Sequence, residues 1–376
     1  QCPDIVPRNH NAADGGAPLL HLEQQILTAS ADIEYWFRSQ WASHVPPFYA
    51  SVDLRNAGFK LSVVDTNLFP GGFNNLSEDA MPLAVQAMSA AVERRCPDVR
   101  RFLLIPENHT RNSFYLTNVA RLAALLKQSG LDIRIGTLIP EINSPTPIDL
   151  PNGEQLLLEP LIRNGNRVGV AGFDPCGILL NNDLSAGVPE ILKGIQGQKI
   201  IPPLHAGWSV RRKSQHFAAY SKVCKMFAEQ INIDPWVLDP YFATCSNVDF
   251  HAREGESCLA DNVSLMLSRI QKKYNELGIT QQPYVVVKAD AGTYGMGVMT
   301  VKDASEVVNL NRKQRNKMAV VKEGMQVSDV LIQEGVPTLE SVDDAVAEPV
   351  VYIVDRYVVG GFYRVLAERG PDVNLN

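Results

Sequence analysis

The stretch YVVVKADAGTYGMGVMTV, residues 284–301, decides the fold of the second half of the chain. YVVVKAD (284–290) is rich in β-branched residues and reads as a strand. AGTYGMG (291–297) is a glycine-rich turn, and VMTV (298–301) a second strand. Lys288 ends the first strand just ahead of a GxxGxG loop. Gly292, Gly295 and Gly297, with Thr293 among them, let backbone N–H groups approach phosphate oxygens, and Lys288 can reach the same oxygens as a mobile cation. This is a β-loop-β phosphate grip. A Walker A loop would lead into a helix and carry GK[ST], and a dinucleotide fingerprint would order its glycines differently.

Beyond the loop, residues 304–316 fit a helix. Further strands are expected at MAVVK (318–322), DVLIQEG (329–335), PVVYIVD (349–355) and RYVVGGFYRVL (356–366), the last two joined by a tight turn at Asp355-Arg356. This half reads as a mostly antiparallel α+β unit. The strand ending in Gln333-Glu334 suits an adenosine: backbone groups can pair with the adenine edge and a carboxylate can accept from ribose hydroxyls. Arg364, on the final strand, can offer a planar fork to a transferring phosphoryl group.

The first half alternates helix and strand. The first 20 residues read as an irregular arm and 21–41 as a helix. A strand at Phe59–Asp65 opens into the loop TNLFPGGFNNL, and 79–95 are helical. RFLLI (101–105) is a short buried strand. A helix over 117–129 is capped by Thr117 or Asn118 and closed by Gly130. Strands follow at 131–139, 155–162 and 176–180. Strand–helix alternation argues for an α/β sheet. Helices are expected again at 214–230 and 261–277. The boundary is expected near PPLHAGWSVRRKSQH (202–216), giving an α/β unit at 1–205 and a nucleotide-binding unit at 206–376.

The chain has 376 residues, with 35 Lys+Arg against 41 Asp+Glu and a net charge of −6. At 45% hydrophobic and 20% charged it has the composition of a globular protein with a core. The acidity argues against a nucleic-acid coat, which needs a basic excess. No stretch approaches the roughly 18 apolar residues of a membrane helix, and no signal-peptide pattern opens the sequence. The six cysteines are scattered without a CxxC pair, so free thiols and a cytoplasmic location are expected. The histidines, among them His109, His205, His216 and His251, show no metal-ligand spacing.

The order Lys-strand, glycine loop, strand, strand ending in Gln-Glu, hairpin and Arg resembles the ATP-grasp ligases. More specifically, nearly the whole chain resembles the proteobacterial glutamate–cysteine ligase family of ATP-grasp type, first described in acidophilic iron oxidisers. The stretches that carry this are FYASVDLRNAGFKLSVVDTNLFPGGFNNL (48–76), HAGWSVRRKSQHF (205–217), YVVVKADAGTYGMGVMTVKDASEV (284–307) and YIVDRYVVGGFYRV (352–365).

The resemblance implies an N-terminal α/β substrate domain followed by an ATP-grasp unit. It implies ATP and Mg²⁺ as cofactors, L-glutamate and L-cysteine as substrates, and no nucleic-acid or membrane partner. Lys288 and Arg364 are then the catalytic cations. Asp65 is expected to hold an α-ammonium, and Asn67, Asn74 and Asn75 a carboxylate. Arg211 and Arg212, beside Lys213, are expected to clamp the carboxylates of glutamate. ATP-grasp enzymes hold Mg²⁺ with a late Asp and a Glu-x-Asn pair. The sequence departs from that pattern, offering Asn374 and Asn376, and carboxylate ligands are looked for beyond residue 376. Two readings stay open beside this one: another ATP-grasp carboxylate–amine ligase such as a glutathione synthetase-like enzyme, and a nucleotide-binding protein without ligase activity.

Overall fold

A computed structural model describes residues 17–291, 297–320 and 326–366. In chain order, α1 (Ala17–Thr28), α2 (Ser30–Ser43), β1 (Tyr49–Asn56), β2 (Leu61–Asn67), α3 (Met81–Arg95), β3 (Arg101–Pro106), α4 (Ser113–Gln128) and β4 (Asp132–Thr137) come first. They are followed by β5 (Thr146–Asp149), β6 (Gln155–Pro160), β7 (Ile162–Asn164), β8 (Arg167–Gly169), β9 (Gly177–Asn181), β10 (Lys199–Ile201), α5 (Lys213–Ile231), β11 (Phe242–Cys245) and α6 (Glu256–Leu277). The chain ends with β12 (Val285–Ala289), β13 (Val298–Val301), α7 (Ser305–Val308), α8 (Arg312–Ala319), β14 (Val330–Glu334), β15 (Ser341–Val342), β16 (Ala345–Val354) and β17 (Tyr357–Leu366).

A six-stranded sheet, order β10-β9-β3-β4-β6-β5, is parallel except at the β5 edge. Its central strands β3 and β9 are mostly apolar, as burial on both faces demands. α3 and α4 cover one face through Ala84, Met88, Val119 and Leu126. A four-stranded antiparallel sheet, order β11-β14-β12-β13, lays Val285, Val287, Val330 and Ile332 against Leu259, Val263 and Ile270 of α6. The mixed α/β architecture is the one expected.

The third large sheet runs β15-β16-β1-β2, with β17 also on β16. It pairs β1 with β16, antiparallel, Tyr49 opposite Val354. Residues from the two ends of the chain therefore share one sheet, and the expected division at 205/206 cuts it in two. Spacing along the sequence reveals strands but not such distant partners.

Several local expectations need correcting. The arm ends earlier than expected, since α1 starts at Ala17, and the helix expected over 21–41 is interrupted at Ala29. The cap of α4 is Asn112, whose side-chain oxygen accepts from Tyr115 N. Asn118 instead lies buried inside the helix and accepts from Phe73 N at 2.8 Å. The helix over 304–316 is two helices, because Asn311 and Gln314 form a capping box that starts a new one. Met318 and Ala319 finish that helix rather than open a strand, Val320 bridges Gln326, and the rest of the expected strand, 321–322, lies outside the described residues. Among the described residues no helix is long and apolar enough to cross a membrane.

Candidate active site

The site lies where the C-terminal ends of the parallel strands meet the β1–β2–β16–β17 sheet. Open α/β sheets present ligands at that end of their strands. A cavity of about 420 Å³ opens there, within the range of small-molecule sites. Asp53, Asp65, Asn67 and Gly72 line it on one side, and His109, Asn112 and Tyr115, following β3, on another. Trp208, Tyr352 and Arg364 complete the walls.

β1 and β2 pair antiparallel with a bulge. Asp53 stands opposite Asp65, and Leu54 opposite Val63, which leaves Val64 without a register partner. A bulged residue releases its backbone groups from the ladder. The freed Val64 carbonyl accepts from Lys288 Nζ at 2.8 Å, which draws this lysine toward β2. Burial pushes the Lys288 ammonium down to about 8 against the pull of Asp65, and like charge from Lys213 works in the same direction.

Asp65 receives both a cation and backbone support. Lys213 Nζ lies 3.0 Å from each carboxylate oxygen, and Thr66 N donates at 3.0 Å. Burial alone would raise this carboxyl. The ammonium groups of Lys213 and Lys288 outweigh it and hold Asp65 at about 2. The ammonium expected there is thus supplied in this structure by Lys213.

Arg364 reaches the cavity from β17, but carboxylates occupy its fork. Nη1 is 3.0 Å from Asp53 and 3.3 Å from Glu348. Glu348 in turn accepts from Arg55 Nε at 2.9 Å. The result is an alternating row, Arg55–Glu348–Arg364–Asp53, on one face of the sheet. Strand alternation puts Asp53 and Arg55 on the same face of β1, and β16 brings Glu348 opposite Arg364.

A family model described as glutamate–cysteine ligase matches residues 23–376. The chain belongs to the glutamate–cysteine ligase family. A crystal structure from Methylobacillus flagellatus KT, provisionally named a gamma-glutamylcysteine synthetase, is 59% identical with a TM-score of 0.92, covering 98% of this chain and 87% of that one. D-alanyl-alanine synthetase A from Vibrio cholerae is 9% identical with a TM-score of 0.32, over 71% of this chain and 68% of that one. A glutathione synthetase-like effector from Globodera pallida is 11% identical with a TM-score of 0.42, over 94% and 84%. Likenesses that loose carry no argument. No curated protein matches the chain.

In this glutamate–cysteine ligase family member the basic knot is split three ways. Arg211 packs on the Trp208 ring, 4.8 Å from its centroid, and donates to Thr66 Oγ1 at 3.0 Å. Lys213 flanks the same ring at 4.7 Å while it binds Asp65. Arg212 turns away to a separate hollow beside Asp290 and Asp329, so it does not join Arg211 in a clamp. Asn67 and Asn75 line the cavity, but Asn74 does not. Asn67 also spends its carbonyl oxygen on Phe69 N, which shapes the loop.

Glu334 differs most from expectation. Its carboxylate accepts from Lys60 Nζ and Trp236 Nε1, both at 3.0 Å, and from Tyr241 N at 2.9 Å. In this structure the carboxylate is buried and its oxygens are engaged by these three donors. Gln333, on the opposite face of β14, shares a small cavity of about 20 Å³ with Lys288, Tyr284 and Arg55. That is room for about one water and not for a purine. Its Nε2 finds no partner among the described residues. Gly297 has φ +65° and its carbonyl accepts from Ala289 N. Gly292, Thr293 and Gly295, and likewise Asn374 and Asn376, lie outside the described residues.

Sequence reading missed Asp53, Glu348, Thr66, His216 and Asp290. Arg211 can only donate, so His216 Nδ1 accepts from it and Nε2 carries the proton toward Thr66 Oγ1. Burial and the Arg211 charge push His216 down to about 4, consistent with a neutral ring. Asp290, just past the end of β12, holds the first turn of α5: its carboxylate accepts from Ser214 N and Ser214 Oγ, both at 2.7 Å. It thereby ties the start of the glycine loop to the helix that carries Lys213. The signal available was its place in KAD, one residue ahead of that loop.

Proposed function

We propose that this chain is an ATP-dependent ligase of ATP-grasp type. It joins the γ-carboxylate of L-glutamate to the amine of L-cysteine through an acyl phosphate. The observation that carries the reading is that Arg364 and two carboxylates, Asp53 and Asp65, line one cavity of amino-acid size in a member of this family, with Lys288 close enough behind Asp65 to feel its charge.

A carboxylate is a poor acylating agent until one of its oxygens becomes a leaving group, and phosphoryl transfer from ATP supplies that. The glutamate γ-carboxylate attacks the γ-phosphorus, and the bond to the bridging oxygen breaks. The cysteine amine then attacks the acyl carbonyl and expels phosphate. The chain supplies position and charge for this, as in other phosphoryl transfers. Lys288 is proposed to neutralise phosphate oxygens, with Gly292, Thr293, Gly295 and Gly297 over them. Arg364 takes the transferring group once it exchanges Asp53 for substrate.

Asp65, at about 2, is too weak a base to take a proton from an amine. Its role is electrostatic: an α-ammonium can share its oxygens with Lys213 or displace it. Asp53 is the second carboxylate for that purpose. Asn67, Asn75 and Arg211 are the groups proposed for the glutamate carboxylates.

Gln333 supports adenosine binding through its unpartnered amide only if the small cavity beside it opens. For Mg²⁺, the described residues hold no cluster of three or more His, Cys, Asp or Glu side chains. The phosphate oxygens and Asn374 and Asn376 are the ligands proposed, and no step is assigned to the ion.

The test is ADP release from Mg-ATP with glutamate alone, cysteine alone, both, and γ-glutamylcysteine with glycine. The reading expects release only with glutamate and cysteine together, abolished by Lys288→Ala. Release only with γ-glutamylcysteine and glycine would move the enzyme to a glutathione synthetase-like reaction. ATP binding with no release in any mixture would reject ligase activity for this chain.

A further inference from the structure

Away from the cavity, the edge strand β11 meets the first turn of α6. Cys245 ends β11 and Cys258 lies in that turn, and their Sγ atoms are 3.6 Å apart. Cys245 is buried and Cys258 is exposed. Asn262, one turn further along α6, directs its side-chain amide at both sulfurs, 3.2 Å from Cys245 Sγ and 3.5 Å from Cys258 Sγ. The same amide donates to the Cys258 carbonyl at 2.9 Å, which fixes its orientation.

We propose that Cys245 and Cys258 form a reversible dithiol–disulfide site, oxidised by low-molecular-weight disulfides, that links β11 covalently to α6. Each sulfur needs to move by roughly 0.8 Å to reach a bond length of about 2.05 Å. The exposed Cys258 reacts first. Its thiolate attacks one sulfur of RS–SR, that bond breaks, and RS⁻ leaves and takes up a proton. Cys245 then loses its proton to solvent and attacks Cys258 Sγ, releasing the second RSH. Two protein thiols are oxidised and one small disulfide is reduced to two thiols. Burial raises the Cys245 thiol, which reserves it for this second, intramolecular step. β11 is in register with β14, Cys245 opposite Val330 and Phe242 opposite Gln333, so the link fastens the edge of the sheet that carries Lys288.

The experiment incubates the full chain with excess oxidised glutathione, blocks free thiols with iodoacetamide, and maps tryptic peptides without reduction. Cleavage after Arg253 separates the two cysteines. The expected product is one linked pair, Cys245 with Cys258, lighter by two hydrogens than the separate peptides and reopened by dithiothreitol. The oxidised chain should melt at a higher temperature than the reduced one, and Cys258→Ser should abolish that difference and leave Cys245 alkylated only after denaturation. Recovery of both peptides fully alkylated would overturn the proposal. So would a stable glutathione adduct on Cys258 with Cys245 still reduced.

Discussion

Asp53 and Asp65 stand directly opposite each other across β1 and β2, and each is neutralised by a different cation. Arg364 serves Asp53 and Lys213 serves Asp65, each at 3.0 Å. Like charges placed opposite each other in a sheet are destabilising. The two cations come from β17 and α5, so the carboxylate pair holds together three parts of the chain that are far apart in sequence.

Lys213→Met should therefore leave Asp65 facing Asp53 without its partner. We expect a loss of about 1–3 kcal/mol in urea unfolding, less than for a fully enclosed pair because Asp65 is partly exposed. Asp65→Asn in the same chain should restore most of it. If the double variant is no more stable than Lys213→Met, the pairing is not what Lys213 contributes.

Lys288 titrates near 8 in the folded chain. Above that pH it is neutral and no longer attracts phosphate. ATP affinity measured by calorimetry should fall as pH rises through about 8, with bound phosphate shifting the midpoint upward. Lys288→Arg should flatten the profile, because a guanidinium stays charged. A wild-type affinity that does not change between about pH 7 and 9.5 would count against Lys288 as the phosphate cation.

His216 makes stability depend on pH on the acid side. The unfolded chain protonates it near 6.5 and the folded chain only near 4. Between those values the unfolded state binds more protons, so stability is lost as pH falls through this window. The separation corresponds to about 3 kcal/mol. His216→Asn should cost about 1 kcal/mol at neutral pH through its hydrogen bonds and remove most of the slope between about pH 6.5 and 4. Unfolding followed against pH would show whether the slope stays.

Glu334 and Lys60 form an enclosed ion pair, with neither side chain more than 1% exposed. Glu334→Gln should destabilise the fold by about 3–5 kcal/mol, because a buried ammonium loses its counter-charge. Nucleotide affinity of the folded fraction should be unchanged. A variant of normal stability with weakened ATP binding would return Glu334 to the adenosine site.

Gly72 tests how closely the loop after β2 approaches the sheet. It has φ +86°, and a Cβ there would lie 2.6 Å from the Tyr352 hydroxyl, which donates to Gly71 O. Gly72→Ala should cost about 1–3 kcal/mol and reduce ligation. Tyr352→Phe should remove the clash and recover part of the stability, though not the loop's hydrogen bond. No recovery in the double variant would place the strain in the backbone alone.

What the sequence by itself determined was local. Short runs rich in β-branched and apolar residues marked β12, β13, β14, β16 and β17, and the apolar repeat from Val119 to Leu126 marked α4. The glycine loop after Lys288 and the stretches around Asp65 and Arg211 were enough to point to the family. These features rest on propensity and on chemistry within a few residues, which a single strand or turn already contains. What tertiary structure decided was partnership. Glu334 reads as an open carboxylate until Lys60, Trp236 and Tyr241 enclose it. Arg364 reads as a free fork until β1 brings Asp53 and β16 brings Glu348. Asp53 itself carries no signal in the sequence, because its place opposite Asp65 depends on a bulge at Val64 and its cation, Arg364, comes from the other end of the chain. Alternation fixes which face a strand residue occupies. Only packing fixes which charge meets it there, and in a buried site that meeting sets whether a group binds substrate or holds the fold.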